Sequence, residues 1–469
     1  MASRNHPDLA QAVEILECFS DHPAGQLLTG SAGEQTFAHP RCHVAPIEFD
    51  DVRLKFVHAA DLHLDSPFRA LSADARLGEL FRRATLKAFS RIVDLCLRER
   101  VQFLTIAGDL FDQKDRSVRA RLALRKELSR LDAAGISTFI VHGNHDPLSD
   151  DADSISFPSS VKVFGACWEE ALVIREGKII CRVQGISYPQ ERVTEDLSPA
   201  FRRQGPEFTV GVLHANLGRN TEHENYAPCT IEGLASRDLD YWALGHVHTR
   251  SEHPLPGAGI AVYPGNPQGR HIRELNERGC VLVEVTEGVT DRRFCPVDAV
   301  RWHRVEVPLT AISSLEGLEA EVEDQIDAWR DSFHDAHVVR VELAGRGSLR
   351  QELTKPGALA SLEEHLRETL LARQPPVVLE SVRDLSRANL DLDAVHAAGG
   401  LGASLVTVAK IAKSDRKAVD ALWSDPELHR LETAIRRAGV SPLQSTGASL
   451  IDRALVQALE LLQEDALED

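Results

Sequence analysis

Side chains that bind metal ions occur in five short clusters between residues 61 and 248. The clusters are Asp61-x-His63, Gly108-Asp109, Gly143-Asn144-His145-Asp146, His214 and Gly245-His246-x-His248. Aspartate carboxylates, an asparagine carbonyl oxygen and imidazole nitrogens together suit divalent metals such as manganese, iron and zinc. Because no cysteine accompanies them, the pattern does not indicate a structural zinc site. The residue types therefore predict a catalytic metal centre.

Seven residues are the predicted ligands, a number that suffices for two ions. They are Asp61, His63, Asp109, Asn144, His214, His246 and His248. Two ions about 3.5–4 Å apart need a bridging carboxylate, and Asp109 is the candidate because it lies in the central cluster. Such ions lower the pKa of a shared water from 15.7 toward about 7. The predicted reaction is attack of this metal-bridged hydroxide on a phosphodiester, with manganese as the first choice of metal and iron or zinc as alternatives.

Three further residues are predicted to take part in catalysis. His145 follows a predicted ligand without being one, so its imidazole is available to protonate the leaving oxygen as a general acid. Asp112 and Asp146 are predicted to orient ligating or catalytic histidines. Catalysis, as distinct from metal storage, is expected to depend on His145.

The clusters follow segments that have the composition of buried β-strands. Five such segments are 54–60, 101–107, 136–142, 208–214 and 239–245. Others lie near 171–184 and 279–285, and helical spacing is seen at 74–100 and 117–134. This alternation predicts an α/β sheet with helices on its faces. Since ligands bind at the carboxyl ends of strands in such sheets, we expect the five clusters to form one site.

The pattern changes after residue 300, which predicts separate domains. We expect an N-terminal extension of unknown role at 1–51, a catalytic domain at 52–300, a small α+β cap domain at 301–382 and a helical region at 383–469. In the cap, strands are predicted at 302–308, 337–343 and 376–381, and helices at 313–330 and 358–373. The last predicted helix, 448–463, has an apolar stripe that would fit a partner's groove or pack on its own domain.

Composition indicates a cytoplasmic protein. The sequence contains no apolar run of the roughly 20 residues that a membrane-spanning helix needs, and it begins with no secretory leader pattern. Its eight scattered cysteines fit reduced, buried thiols. Most of the net charge of −18 lies outside the catalytic region. Residues 51–300, which contain that region, contribute only −3. Two divalent ions would bring that region close to neutral, so the acidic total does not exclude nucleic acid.

Taken together, the five clusters resemble the signature of the calcineurin-like metallophosphoesterases. Within that superfamily, three strings are similar to bacterial DNA-repair exonucleases of the SbcD and YhaO types, and closest to the latter. They are HAADLHLDSPF at 58–68, GDLFD at 108–112 and YPGNPQGRH at 263–271. The resemblance covers about residues 54–273. It implies a four-layer αββα sandwich followed by a small cap domain.

The resemblance also implies how the ligands are shared. The first ion would be bound by Asp61, His63, Asp109 and His248, and the second by Asp109, Asn144, His214 and His246. His145 matches the catalytic histidine of the family. One departure is Asp65, which stands where the SbcD branch commonly has glycine and which places an extra carboxylate near the substrate.

Basic and polar residues outside the ligand clusters are candidates for DNA contact. Arg270, His271 and Asn266, in a loop rich in turn residues, are the predicted substrate-binding residues. Two basic stretches, Arg82-Arg83 and 116–126, would track a DNA backbone or form an ordinary solvated helix face.

The predicted function is that of a metal-dependent nuclease, a hydrolase that cuts DNA as an exonuclease or endonuclease in DNA repair. One alternative is a phosphodiesterase for cyclic nucleotides or other small phosphodiesters, since the same kind of site serves many substrates. Another is a non-catalytic DNA-end tether. The family resemblance further implies DNA as a partner, a coiled-coil ATPase of the SbcC type and a homodimer, with no role for a membrane.

Overall fold

The computed structural model describes residues 54–66, 68, 75–112, 117–150, 156–218, 226–329, 333–387, 391–414 and, with two gaps, 451–459. The predicted extension at 1–51 lies outside these residues.

The strands are β1 (Leu54–Ala59), β2 (Phe103–Ala107), β3 (Ser137–Val141), β4 (Val161–Val163), β5 (Glu169–Arg175), β6 (Lys178–Ile186), β7 (Phe208–His214), β8 (Tyr241–Gly245), β9 (Ser251–Pro254), β10 (Ile260–Tyr263), β11 (Gly279–Thr286), β12 (Val289–Pro296), β13 (Val300–Pro308), β14 (Ala336–Ala344) and β15 (Val377–Asp384). The helices are α1 (Ala75–Glu99), α2 (Val118–Ala133), α3 (Ile231–Ala235), α4 (Leu315–Asp327), α5 (Arg350–Leu353), α6 (Ala358–Leu371), α7 (Leu392–Ala398) and α8 (Gly400–Ser414).

Two six-stranded sheets carry the five clusters. The first has the order β12-β11-β1-β2-β3-β4, in which β1 to β4 run parallel and β11 pairs antiparallel with β1. The second has the order β5-β6-β7-β8-β10-β9, with β6, β7, β8 and β10 parallel. A third sheet has the order β13-β14-β15. The predicted mixed α/β architecture is confirmed.

Apolar side chains fix the register of the first two sheets by filling the space between them. Phe56, Phe103 and Phe139 on the first sheet share one buried cluster with Val210 and Tyr241 on the second. The rings of Phe56 and Phe103 stack with centroids 4.7 Å apart, and those of Phe103 and Phe139 meet edge to face at 5.4 Å. Such aromatic pairs contribute about 0.5–1.5 kcal/mol beyond their buried area. This core holds the strand ends, and therefore the clusters, in place.

The outer faces of the two sheets are covered differently. Helices α1 and α2 cover the first sheet and bury side chains such as Phe89, Ile92, Leu124 and Leu128 against it. Ser117 begins α2 by accepting the backbone N–H of Ala120, as an N-cap residue does. The second sheet is covered by short helical turns, by α3 and by irregular segments. The fourth layer of the sandwich is thus mostly non-helical.

The strand-like segment predicted near 171–184 contains two strands. β5 and β6 form an antiparallel hairpin, and the turn between them consists of Glu176 and Gly177, both with positive φ. A two-residue turn of this type matches the twist of the flanking strands.

The described residues form two compact units. The first includes the residues through Glu306 together with Glu319–Glu342 and Ala360–Arg383. In this unit Phe81 of α1 packs with Phe68 and Trp302, and Val338 and Val378 belong to the same cluster. The domain boundaries predicted at 300/301 and 382/383 stay a prediction.

The second unit comprises Val307–Leu318, Leu343–Leu359 and the chain from Asp384 onward. The described residues of the predicted helix 448–463 are helical, and Leu455 and Leu459 are buried with Val406 and Ala409 of α8. In the described part of this segment, the apolar stripe is therefore packed against α8, and its predicted role as a partner-binding helix stays a prediction.

Five of the cysteines, 96, 181, 229, 280 and 295, are buried free thiols, as the sequence predicts, whereas Cys167 is disulfide-bonded. In the part of the chain that the structure describes, no helix combines the length and the hydropathy of a membrane span.

Candidate metal centre

All five clusters meet at one edge of the two-sheet sandwich. They follow β1, β2 and β3 in the first sheet and β7 and β8 in the second. The segment after β1 runs beside the segment after β2, since the N–H of Asp61 donates to the carbonyl of Gly108 at 3.1 Å and that of His63 to the carbonyl of Asp109 at 3.0 Å. The backbone itself therefore sets the spacing of these ligands.

Backbone strain is concentrated at these residues. Asp61, His63, Asp109 and His246 have φ values of 52°, 42°, 50° and 96°, in the left-handed region that residues other than glycine rarely adopt. Each such conformation costs of order 1–3 kcal/mol and persists only where the surrounding structure imposes it. The strained backbone lowers the free energy of unfolding, but it directs these side chains toward a common point.

Two groups of side chains make up the centre. We call Asp61, His63 and His248 the outer half, and Asp109, Asn144 and His214 the inner half. In the outer half, the Nε2 atoms of His63 and His248 lie 3.2 Å apart, and one ligand atom from each of the three residues fits within 4.8 Å of the others. The side chain of His248 is 21% exposed, so this half reaches the surface.

The inner half is completely buried around His214. The Nδ1–H of His214 donates to the carbonyl of Ala107 at 3.0 Å, which leaves Nε2 with its lone pair. That Nε2 lies 3.5 Å from Oδ2 of Asp109 and 3.0 Å from Oδ1 of Asn144. Burial lowers the pKa of His214 to about 4, although the hydrogen bond to Ala107 opposes the shift. The imidazole is therefore neutral at pH 7, the form that binds metal.

Gly143 makes room for the inner half. A β-carbon at this position would lie 2.3 Å from Oδ1 of Asp109 and 2.9 Å from the ring of His214. Any side chain here would displace a predicted ligand.

The carboxylates of Asp61 and Asp109 show that a cation fits the centre. Both are 1% exposed. Burial, and then the charge of Asp109, raises the pKa of Asp61 well above its usual value. Burial also raises the pKa of Asp109 to about 7, against the charge of His145. Two buried carboxylates that oppose each other's ionisation are the arrangement that divalent cations relieve.

His246 is placed less directly than the other six predicted ligands. Its backbone N–H donates to both carboxylate oxygens of Asp61, at 3.0 and 3.2 Å. Its ring lies 5.2 Å from that of His214 and 5.8 Å from that of Tyr226, measured between centroids. The structure thus brings all seven predicted ligands together, with the ring of His246 beside that of His214.

His145 and Asp112 form a pair beside the outer half. Nδ1 of His145 lies 3.0 Å from Oδ1 of Asp112, whose Oδ2 accepts from Ser66 at 3.0 Å and from Arg270 at 3.2 Å. Partial burial would lower the pKa of His145, but the hydrogen bond to Asp112 and the charges of Asp109 and Asp112 raise it to about 9. His145 is thus a cation at neutral pH, the form that a general acid requires.

Asp146 differs from its predicted role. It accepts the backbone N–H groups of Leu110 and Gly143, both at 2.8 Å, and pairs with His142. Among the described residues, no hydrogen bond or ion pair joins Asp146 to a predicted ligand or to His145. Because Leu110 and Gly143 adjoin Asp109 and Asn144, Asp146 ties together the two loops that supply the inner half.

Asn266 also differs from its predicted role in binding substrate. It is 1% exposed, its amide donates to the carbonyl of Gln268 at 2.9 Å, and its Oδ1 accepts from Arg278 at 3.0 Å. Both polar atoms of the side chain are therefore hydrogen-bonded within residues 266–278 rather than directed at a substrate. By contrast, the guanidinium of Arg270 lies at the centre beside Asp112, and His271 is half-exposed nearby.

Asp65 does not point toward a substrate as the sequence suggested. Its Oδ2 accepts from Ser117 at 2.5 Å, and its Oδ1 lies 3.3 Å from Arg119. Its backbone N–H donates to Thr85 at 2.9 Å. The extra carboxylate therefore fastens the segment after β1 to the start of α2, and the backbone N–H of Asp65 fastens it to α1.

The predicted basic stretches are partly neutralised. Glu79 pairs with Arg82, Arg83 and Arg119 at 3.4, 2.6 and 3.3 Å. Arg116 lies outside the described residues. These stretches are closer to a solvated helix face than to a continuous positive track.

Sequence reasoning missed Glu274. This residue is 3% exposed and accepts a hydrogen bond from Nδ1 of His248 at 2.7 Å. Burial alone would raise the pKa of Glu274, but the hydrogen bond and charge of His248 lower it below its usual range. Its position, 26 residues after its partner, gives no local signal in the sequence.

Comparisons with known proteins agree with this geometry. Residues 54–250 match the family described as calcineurin-like phosphoesterase, and residues 302–387 match the middle domain of the metallophosphoesterase YhaO. The chain is 37% identical over 284 residues to YhaO of Bacillus subtilis strain 168, an uncharacterized metallophosphoesterase, covering 59% of this chain and 68% of that protein.

Two archaeal relatives are named DNA double-strand break repair protein Mre11. The one from Sulfurisphaera tokodaii is 27% identical over 228 residues, covering 46% of this chain and 54% of the relative. The one from Sulfolobus acidocaldarius is 23% identical over 332 residues, covering 67% and 81%.

Proposed function

This chain belongs to the calcineurin-like metallophosphoesterases, a family of metal-dependent phosphoester hydrolases, and we propose that it is a two-metal phosphodiesterase that cuts DNA. The observation that carries the proposal is the Asp109 carboxylate, which lies within 3.9 Å of His63 in the outer half and 3.5 Å of His214 in the inner half. One carboxylate that reaches both halves is what a pair of ions needs.

The ligand set divides between two ions that share Asp109. Asp61, His63, Asp109 and His248 would hold one, and Asp109, Asn144, His214 and His246 the other. When bound, two divalent ions polarise a phosphoryl oxygen and make water acidic enough to attack phosphorus near neutral pH. Manganese is the metal we expect, because hard oxygen donors and imidazoles are mixed in the set.

The chain's own residues supply the remaining steps. His145, held as a cation by Asp112, donates a proton to the leaving oxygen of the scissile phosphodiester. Arg270 keeps Asp112 in place through Nη1, and its buried Nε has no hydrogen-bond partner among the described residues. The Arg270 side chain is 14% exposed, and the accessible part of its guanidinium would contact a non-bridging phosphate oxygen, with half-exposed His271 beside it.

DNA is the proposed substrate, and DNA repair the proposed process, because two relatives bear the name of a double-strand break repair protein. Cleavage as an exonuclease or endonuclease in the cytoplasm is part of the same proposal. We further propose that the chain works as a homodimer with a coiled-coil ATPase of the SbcC type. The side chains of Leu401, Val408 and Ile411 on α8 are 62%, 62% and 63% exposed, an apolar surface open to such a partner.

The test is an assay of the purified full chain with Mn²⁺ on end-labelled linear DNA and on bis-p-nitrophenyl phosphate. We expect cleavage of both substrates, and none by an Asp109→Asn variant purified in parallel. Turnover of the small ester without DNA cleavage, even with the ATPase present, would instead assign a phosphodiesterase of small substrates. Binding of DNA ends without turnover of either substrate would leave a DNA-end tether.

A further inference from the structure

Glu274 is a buried carboxylate that belongs to none of the predicted clusters. It lies in the loop between β10 and β11 and is 3% exposed. Its Oε1 accepts from Nδ1 of His248 and its Oε2 accepts the backbone N–H of Arg270, both at 2.7 Å. Burying a carboxylate is costly unless hydrogen bonds and opposite charges compensate for the lost water. Its partners therefore indicate what this residue is for.

We propose that Glu274 is a positioning residue that holds His248 in the tautomer and orientation that a metal ion requires. A carboxylate only accepts hydrogen bonds, so the ring proton of His248 must sit on Nδ1. The lone pair is then on Nε2, the atom that lies 3.2 Å from Nε2 of His63 in the outer half. A carboxylate that orients a ligating histidine also makes that histidine a stronger base. The inference rests on the proposed metal centre.

The same loop also holds the backbone of His248. The carbonyl of His248 accepts from Nη1 of Arg278 and from the backbone N–H of Asn266, the latter at 3.3 Å. Arg278 in turn donates to Oδ1 of Asn266 at 3.0 Å. Ring and main chain are thus fixed from one side by residues 266–278. The loop acts on His248 as a unit, and within it Glu274 supplies the contact with the Nδ1 atom.

A simpler role for Glu274 is to stabilise its own turn. Its backbone N–H donates to the carbonyl of His271 at 2.9 Å, and its Oε2 accepts from Arg270 within the same turn. Within this turn, Oε1 of Glu274 also lies 3.4 Å from Nε2 of His271. The shorter contact of Oε1, at 2.7 Å, is with His248, 26 positions earlier in the chain, and turn formation does not require that contact. The two roles predict different behaviour when His248 is also changed.

The experiment is a calorimetric titration of metal-free protein with Mn²⁺, comparing the wild type with Glu274→Gln. We expect two ions in the wild type and, in the variant, one ion bound about 10–100-fold more weakly, as when other partners of ligating histidines are lost. Glu277→Gln is the matched control. The Glu277 side chain is 55% exposed and lies 3.5 Å from Arg301, so both affinities should stay unchanged.

A double-mutant cycle separates positioning from turn stability. In a His248→Asn background, Glu274→Gln should weaken Mn²⁺ binding no further, because the residue through which it acts is gone. An equal loss in both backgrounds would overturn the inference, as would unchanged affinities in Glu274→Gln. If the wild type bound no Mn²⁺, the proposed function would fail instead. If Glu274→Gln does not fold, Glu274→Asp replaces it, because the shorter side chain cannot reach Nδ1 of His248. Weaker binding of one Mn²⁺ ion would support the inference, and unchanged affinities would overturn it.

Discussion

The two halves of the centre hold their histidines by different means. In the inner half, His214 is completely buried and its Nδ1 is fixed by the carbonyl of Ala107, a backbone atom of the core strand β2. In the outer half, His248 is partly exposed and its Nδ1 is fixed by the side chain of Glu274 on a loop. The inner half is therefore set by the fold itself. In the outer half, backbone hydrogen bonds hold Asp61 and His63, whereas the ring of His248 is held by a side chain that substitution can change without altering the core.

The largest loss of metal binding and activity should follow from changing Asp109, the residue that both halves share. Asp109→Asn removes the charge that lies near His63 and His214, so both ions should be lost or greatly weakened. Activity should fall by more than about a hundredfold, the upper range for losing a mere partner of a ligand. Mn²⁺ content and phosphodiesterase rate, measured on the same preparation, check this. Two tightly bound ions in the variant would show that metal binding in the two halves does not require the charge of Asp109.

His145→Gln should lower the catalytic rate without lowering metal binding in either half. The rate should fall by about 10²–10⁴, the usual contribution of a general acid, because the proton donor to the leaving oxygen is gone. Metal content should stay at the wild-type level, since the proposed ligand sets do not include His145, although His63, Asp112 and His145 also lie close enough together to hold an ion. Turnover and Mn²⁺ stoichiometry are the measurements. A metal-depleted variant would place His145 among the ligands.

Gly143→Ala should damage the inner half directly, and the outer half only through the shared Asp109. The added methyl group would lie 2.3 Å from Oδ1 of Asp109 and 2.9 Å from the ring of His214, so the free energy of unfolding should fall by about 1–3 kcal/mol. Urea unfolding of metal-free protein measures this loss. Gly78→Ala is the control, because a β-carbon there meets nothing within 4 Å and should add up to about 1 kcal/mol of helix stability. Equal effects of the two substitutions would contradict the geometry.

The pH dependence of unfolding should depend in part on His58, a histidine of β1 that belongs to neither half. Burial lowers the pKa of His58 to about 3, so the unfolded chain takes up its proton near pH 6.5 and the folded chain only near pH 3. Stability contributed by neutral His58 is therefore present above pH 6.5 and lost as the pH falls toward 3, by up to about 1.4 kcal/mol per pH unit.

Urea unfolding of metal-free protein at several pH values between 7 and 5 checks this. In His58→Gln this part of the slope should be absent, whereas His365→Gln, at a residue that is 56% exposed, should keep the wild-type slope. If both variants keep it, another group is responsible for the pH response.

The inner half was predictable from sequence because its residues follow strands directly. Asp109 and Asn144 come one or a few residues after β2 and β3, and His214 ends β7. Strand ends in an α/β sheet converge, so residue type and position were sufficient to place these side chains together. The same reasoning located the outer ligands and His145, which also follow strands.

The supports of the outer half could not be predicted, because they depend on how loops turn. Nothing in the sequence shows that Asn266 turns inward while Glu274 reaches His248. Asp65 and Asp146 carry the right chemistry, yet their carboxylates bind Ser117 and backbone N–H groups. A carboxylate near a site has many partners within reach, and only the packed chain decides among them.

The order of strands in the first sheet has a consequence for biosynthesis. β1 lies between β2, which follows it closely, and β11, which is completed only at Thr286. At about 5–20 residues per second, a ribosome takes roughly 10–45 seconds to add the chain between β1 and β11. During that interval the nascent chain presents β1 with an open edge, a surface on which β-strands from other chains can pair. All the proposed ligands of the metal centre are synthesised before β11, but the sheet that positions them is completed only when β11 pairs with β1. We expect the need for molecular chaperones to be greatest just before β11 is synthesised.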